Sequence, residues 1–153
     1  MIKTVNGNLL EAEENLIVHS VNCQGVMGSG VAKHLRDKYP IIFEKYSKIC
    51  DSFYDKTNLL GQVQIIKVEH SISIVNLFGQ FNYGRDGKLY TDYAALKTGF
   101  TYIRDVAHEY GLNIAMPYGI GCGLGGANWD TVYRMIEEIF EECDVTLYKL
   151  EEN

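Results

Sequence analysis

Two glycine-rich segments hold the residues whose type and spacing suit chemistry. The first is Asn22-Cys23-Gln24-Gly25-Val26-Met27-Gly28-Ser29-Gly30, and the second is Gly119-Ile120-Gly121-Cys122-Gly123-Leu124-Gly125-Gly126. Together they contain eight of the chain's 15 glycines. Glycine reaches positive φ without steric penalty and lets backbone approach a ligand closely. A helix N-terminus beyond such a loop adds unpaired N–H groups and a dipole that favours phosphate. Two loops of this kind suit a diphosphate held by amides, without lysine. One alone is equally a tight turn. The pattern G-x-x-x-x-G-K-[ST] is absent. The near match to G-x-G-x-x-G at Gly121 lies late in the chain, with no acidic strand residue about 20 positions on, so a Rossmann oxidoreductase is not expected.

Few side chains offer acid–base or nucleophilic chemistry. His34 follows the first loop and is a titratable candidate, or else an exposed helix residue beside Lys33 and Arg36. Cys23 and Cys122 lie near helix N-termini, which lower a thiol pKa. As small hydrophobes they would instead pack inward, and that reading is preferred. Arg85 and Lys88, within Tyr83 to Tyr90, either offer charge to a terminal phosphate or sit in a solvated loop. Asp130 suits a helix N-terminus. Glu137, Glu138, Glu141 and Glu142 read as a solvated helix face rather than a metal site. Cysteines 23, 50, 122 and 143 show no Cys-x-x-Cys spacing. That argues against zinc or a disulfide scaffold and for a reduced, cytoplasmic protein. No metal and no cofactor is expected.

The elements that must position the loops follow from periodicity. Leu16 to Val21 has strand length, and Val31 to Tyr39 reads as a helix ended by Pro40. Pro40 can itself open the next helix, through Cys50. Val63 to Val68 and Ile72 to Phe78 are strand candidates, and Phe81 to Tyr90 is a loop. Asp92 is a candidate N-cap for a helix to Tyr110, with Gly111 as its C-cap. Tyr93, Leu96, Phe100, Ile103 and Val106 give that helix one apolar face. Leu112 to Met116 is a strand, Trp129 to Glu142 a helix, and Val145 to Leu150 a closing strand. Alternating strands and helices predict an α/β layered domain with a largely parallel sheet.

Composition narrows the function classes. A chain of 153 residues with 46% hydrophobic and 22% charged residues can bury one core. The 14 basic and 20 acidic residues give a net charge of −6. A net anion gains no general attraction to nucleic-acid phosphates. No run approaches the roughly 20 apolar residues of a membrane span, so no membrane partner is expected.

These residues resemble the macrodomain family, whose members bind ADP-ribose and its derivatives. Gly7-Asn8-Leu9 is similar to the family's early Gly-Asp-[Ile/Leu] element. Val21 to Gly25 with Gly28 to Ala32 is similar to its first phosphate loop, and Pro117 to Leu124 to its second. Val21 to Gly25, Tyr39-Pro40 and Leu59-Leu60-Gly61 resemble the branch containing the yeast-type ADP-ribose 1″-phosphate phosphatase. Ile120 to Leu124 and Trp129 resemble the branch containing the terminal ADP-ribose protein glycohydrolase.

The resemblance implies one macrodomain over residues 1–153, a three-layer α/β/α fold around a six-stranded mixed sheet. It implies Asn8 and Leu9 near an adenine. Gly28, Ser29, Gly30 and Val31, with Gly119, Ile120, Gly121, Cys122, Gly123 and Leu124, would cradle a diphosphate and distal ribose. Asn22 would orient that ribose, Gln24 and Tyr93 would border the pocket, and Arg85 would meet a terminal phosphate. The chain departs from the family in carrying Asn8 for the usual aspartate. It carries Phe78 for the glycohydrolase lysine and Gly125 for that branch's aspartate. Glycine or serine around Ser29-Gly30 replaces the aspartate of another hydrolase branch. A covalent lysine mechanism is therefore not expected. The leading expectation is a phosphatase acting on ADP-ribose 1″-phosphate. The alternatives are a hydrolase removing ADP-ribose from a modified protein or nucleic acid, and a non-catalytic reader of ADP-ribose-like ligands.

Overall fold

Local signals set most element boundaries in the computed structural model, which describes residues 1–150. Leu16–Asn22 is almost wholly buried and forms β2, while Ile2–Asn6 forms β1. The first glycine loop leads into α1 (Gly30–Lys38), and Pro40 occupies the first turn of α2 (Pro40–Ser52), where its missing N–H costs nothing. The pair β3 (Val63–Glu69) and β4 (Ile72–Gln80) follows. For α3 (Tyr93–Tyr110), the Asp92 carboxylate accepts from Ala95 N at 3.0 Å and Gly111 closes the helix at φ +65°. That conformation favours glycine at the C-terminal cap. The chain then forms β5 (Ile114–Pro117), α4 (Trp129–Ile139) and β6 (Val145–Lys149). The last helix stops short of the expected Glu142. Phe140 is its C-cap and is buried.

The six strands run in the order β1-β6-β5-β2-β4-β3. Every neighbouring pair is parallel except β3 with β4, so the sheet is mixed with an antiparallel hairpin at one edge. Strand β1 was not expected from periodicity. Its burial alternates weakly, and register with β6, Ile2 opposite Val145, defines it. Side chains alternate across the sheet. Leu16 and Val18 join Leu96, Phe100 and Ile103 of α3 and Val132 and Ile136 of α4. Ile17 faces Leu35 of α1 and Ile42 of α2. Further along that face Val21 and Phe78 meet Tyr46 and Cys50 of α2. Helices thus cover both faces in three layers, α1 and α2 on one side and α3 and α4 on the other. A Cβ on Gly99 would lie 2.5 Å from Leu77 Cγ, so a side chain there would hold α3 off the sheet. Among the described residues no helix is long and apolar enough to cross a membrane.

Candidate functional site

The site begins with a break in strand register. Between Val21 and Asn22 the pairing of β2 with β4 shifts, and such irregularities re-aim side chains. Val21 already faces Tyr46, and Asn22, next in sequence, reaches the same tyrosine. The Tyr46 hydroxyl donates to Asn22 O (2.7 Å) and to Asn22 Oδ1 (2.8 Å), sharing one proton between them. Asn22 Oδ1 also accepts from Gln24 N at 2.9 Å, and Asn22 Nδ2 donates to Val26 O at 2.8 Å. Asn22 therefore braces the first loop from within. One amide hydrogen is left for a ligand. Beyond the loop, Ser29 caps α1 without any side-chain hydrogen bond, which leaves the helix's first amides open.

The second loop follows β5 and turns at Gly119 (φ +80°) and Gly121 (φ +78°). Thr91 Oγ1 donates to Gly121 O at 2.7 Å, and Gly125 O accepts from Tyr90 N and Thr91 N. The loop is thereby anchored to the segment preceding α3. The amides of Gly123 and Leu124 donate to no protein acceptor among the described residues.

The two loops face each other across a cleft of about 240 Å³. Asn22, Gly28, Ser29, Gly30 and Val31 line one wall. Gly119, Ile120, Gly121, Gly123 and Leu124 line the other, with Arg85 at the rim. Among the described residues lining it, Arg85 alone carries a formal charge. Five expected residues lie elsewhere. Asn8 caps the short 3-10 turn Leu9–Glu11 through Oδ1 and Leu10 N (3.0 Å), and Leu9 is buried in the core. Gln24 donates to Phe81 O, Tyr93 accepts from Asn128 N at 2.9 Å, and Cys122 packs against the α3/α4 core. Burial pushes the Cys23 thiol up to about 12 and raises that of Cys122. Burial thus disfavours the thiolate form at both positions. His34 is exposed on α1, as its helical spacing suggested.

Residues 18–136 match the Macro domain family. The chain belongs to the macro domain family. It is 28% identical over 152 residues to the DNA ADP-ribosyl glycohydrolase of Mycobacterium tuberculosis, covering 97% of this chain and 42% of that protein. The chain thus spans less than half of that relative's length. It is also 28% identical over 178 residues to the ADP-ribose 1″-phosphate phosphatase of Saccharomyces cerevisiae, covering 97% and 98% of the two chains. Among solved structures, a protein of unknown function from Bacteroides thetaiotaomicron superposes with a TM-score of 0.88 at 27% identity over 98% of each chain.

This macro domain also lines its cleft with residues that periodicity absorbed into strands and turns: His19, Ser20, Gln80, Tyr83 and Tyr118. His19 and Ser20 sit within the apolar run of β2, and no local signal separates them from it. Strand β4 runs two residues past Phe78, which is buried against Tyr46 and does not line the cleft. The strand-end residue that does is Gln80, an uncharged amide. Gly125 is closed to an aspartate as well. A Cβ there would lie 2.5 Å from Thr91 Oγ1 and 2.6 Å from Gly121 O.

Proposed function

We propose that this macro domain binds ADP-ribose and hydrolyses ADP-ribose 1″-phosphate to ADP-ribose and phosphate. One observation carries the reading: open amides of the α1 first turn face those of Gly123 and Leu124 across a cleft with Arg85 at its rim. Backbone N–H groups and a helix dipole stabilise a diphosphate. The free Asn22 amide hydrogen then meets the terminal ribose, and Arg85 meets its phosphate. A water oxygen bonds to phosphorus as the bond from phosphorus to the sugar oxygen breaks, and that oxygen leaves with a proton. Such a transfer depends on positioning and electrostatic stabilisation. Similarity along nearly the whole length of the yeast phosphatase supports it. The chain acts as one macro domain, and its four free cysteines suit a cytoplasmic setting.

Phosphate release from ADP-ribose 1″-phosphate by purified protein tests this reading. Release no faster than by a Gly123→Glu control sinks it. A second reading, removal of ADP-ribose from a modified protein or nucleic acid, draws on the similarity to the DNA ADP-ribosyl glycohydrolase. Gln80 and Gly125 bring neither a lysine nor an aspartate to the cleft, which weighs against a covalent lysine mechanism, and release of ADP-ribose from modified DNA or glutamate would favour this reading. Tight ADP-ribose binding with no turnover of any of these substrates would leave a reader.

A further inference from the structure

One residue lining the cleft, His19, holds a ring nitrogen without a partner among the described residues, and the residue is 1% exposed. Its Nε2 lies 2.5 Å from Asn76 Oδ1 on β4, and Asn76 Nδ2 donates to Gln64 Oε1 on β3 at 3.0 Å. The Gln64 bond orients the Asn76 amide so that its oxygen faces the ring. Nε2 therefore carries the imidazole hydrogen and Nδ1 presents a bare lone pair. That Nδ1 is buried and makes no hydrogen bond among the described residues.

A bare lone pair repels the phosphate oxygens that the glycine amides attract. Whatever meets it must bring a hydrogen. The cleft also has two unlike halves. Tyr118, just past β5 and beside β6, lines one half while its ring packs on Trp129 and under Lys149 Nζ, and the remaining aromatic edge suits a nucleobase. His19, Ser20, Asn22 and Gln80, at the carboxyl ends of β2 and β4, give the other an uncharged polar floor. A nucleoside diphosphate carrying a second sugar fits with its base at the aromatic half and the sugar on the polar one. We propose that His19 Nδ1 accepts a hydrogen bond from a hydroxyl of the ligand's terminal ribose. His19 thereby joins Asn22 in distinguishing a diphosphate bearing a sugar from one ending in phosphate. The assignment rests on the ADP-ribose reading above.

The test is nitrogen NMR of histidine-labelled wild-type protein, titrated with ADP-ribose and separately with ADP. ADP-ribose is expected to move the Nδ1 resonance from its bare value toward a hydrogen-bonded one, and ADP to leave it in place. The His19→Phe variant is expected to lose about tenfold in ADP-ribose affinity, the worth of one hydrogen bond, with ADP affinity unchanged. An Nδ1 resonance that stays still while the Gly123 and Leu124 amides shift overturns the His19 assignment alone. Equal shifts with both ligands also overturn it. Amides that stay still as well overturn the ADP-ribose reading itself. The wild-type measurement decides even if the variant fails to fold.

Discussion

The Tyr46 hydroxyl on α2 lies within 2.8 Å of both oxygens of Asn22, its backbone carbonyl and its side-chain Oδ1. A residue from the helical layer thus holds the point where β2 leaves the sheet and the first glycine loop begins. Tyr46→Phe keeps the ring stacked on Phe78 but leaves two buried oxygens one donor short. Removing such a donor costs about 1–3 kcal/mol. Denaturant titration is expected to show that loss, and calorimetry a lower ADP-ribose affinity. An affinity equal to wild type would mean the loop does not depend on this brace.

Two glycines of the second loop should respond in opposite ways. A Cβ on Gly123 meets nothing within 4 Å, whereas one on Gly125 meets Thr91 and Gly121. Gly123→Glu is therefore expected to fold with stability within about 0.5 kcal/mol of wild type, while its carboxylate in the amide cradle abolishes ADP-ribose binding. Gly125→Asp is expected to lose about 1–3 kcal/mol through overpacking and to gain no glycohydrolase activity. Thermal denaturation and a binding titration on the two proteins separate the effects.

Arg85 is exposed at the cleft rim, so Arg85→Ala should leave stability unchanged. Loss of a charge-assisted bond worth about 1.5–3 kcal/mol should raise KM for ADP-ribose 1″-phosphate about tenfold or more. ADP-ribose affinity should stay near wild type. Steady-state kinetics beside calorimetry check the pair of outcomes, and equal losses in both would place Arg85 on the diphosphate instead.

Burial holds the His19 imidazole at about 4, against an ordinary 6.5, with the Asn76 bond opposing the shift. The unfolded chain takes up that proton as pH falls below 6.5, while the folded protein resists until about 4. The contribution is therefore complete above the unfolded value and lost as pH drops through this window, by about 3 kcal/mol in all. Denaturant midpoints from neutral pH downward, compared with His19→Asn, are expected to fall more steeply for wild type. Parallel slopes would assign the acid sensitivity to other groups.

Much of the scaffold was legible because local chemistry marks it. Asp92 and Gly111 bracket α3, Pro40 separates α1 from α2, and glycines at positive φ mark both loops. Strand β1 was not, since Ile2-Lys3-Thr4-Val5-Asn6 is too polar to announce itself and needs β6 to become a strand. The site divided along the same line. Backbone-forming residues of the loops line the cleft, but Gln24 and Tyr93 fasten neighbouring segments instead. His19 and Gln80 escaped because a polar residue inside a strand gains its meaning from its cross-strand neighbours, which lie far away in sequence.

The pairing of Gln80 with Thr91 closes residues 81–90 at their two ends. Thr91 is fastened in turn to Gly121 and Gly125. Within that closure, Phe81 O accepts from Cys23 N and from Gln24 Nε2, and Tyr90 N donates to Gly125 O. The stretch that brings Tyr83 and Arg85 to the cleft is therefore sewn to the first glycine loop at one end and to the second at the other. Shortening it would pull on both loops at once, so the rim and the amides it overlooks form one mechanical unit.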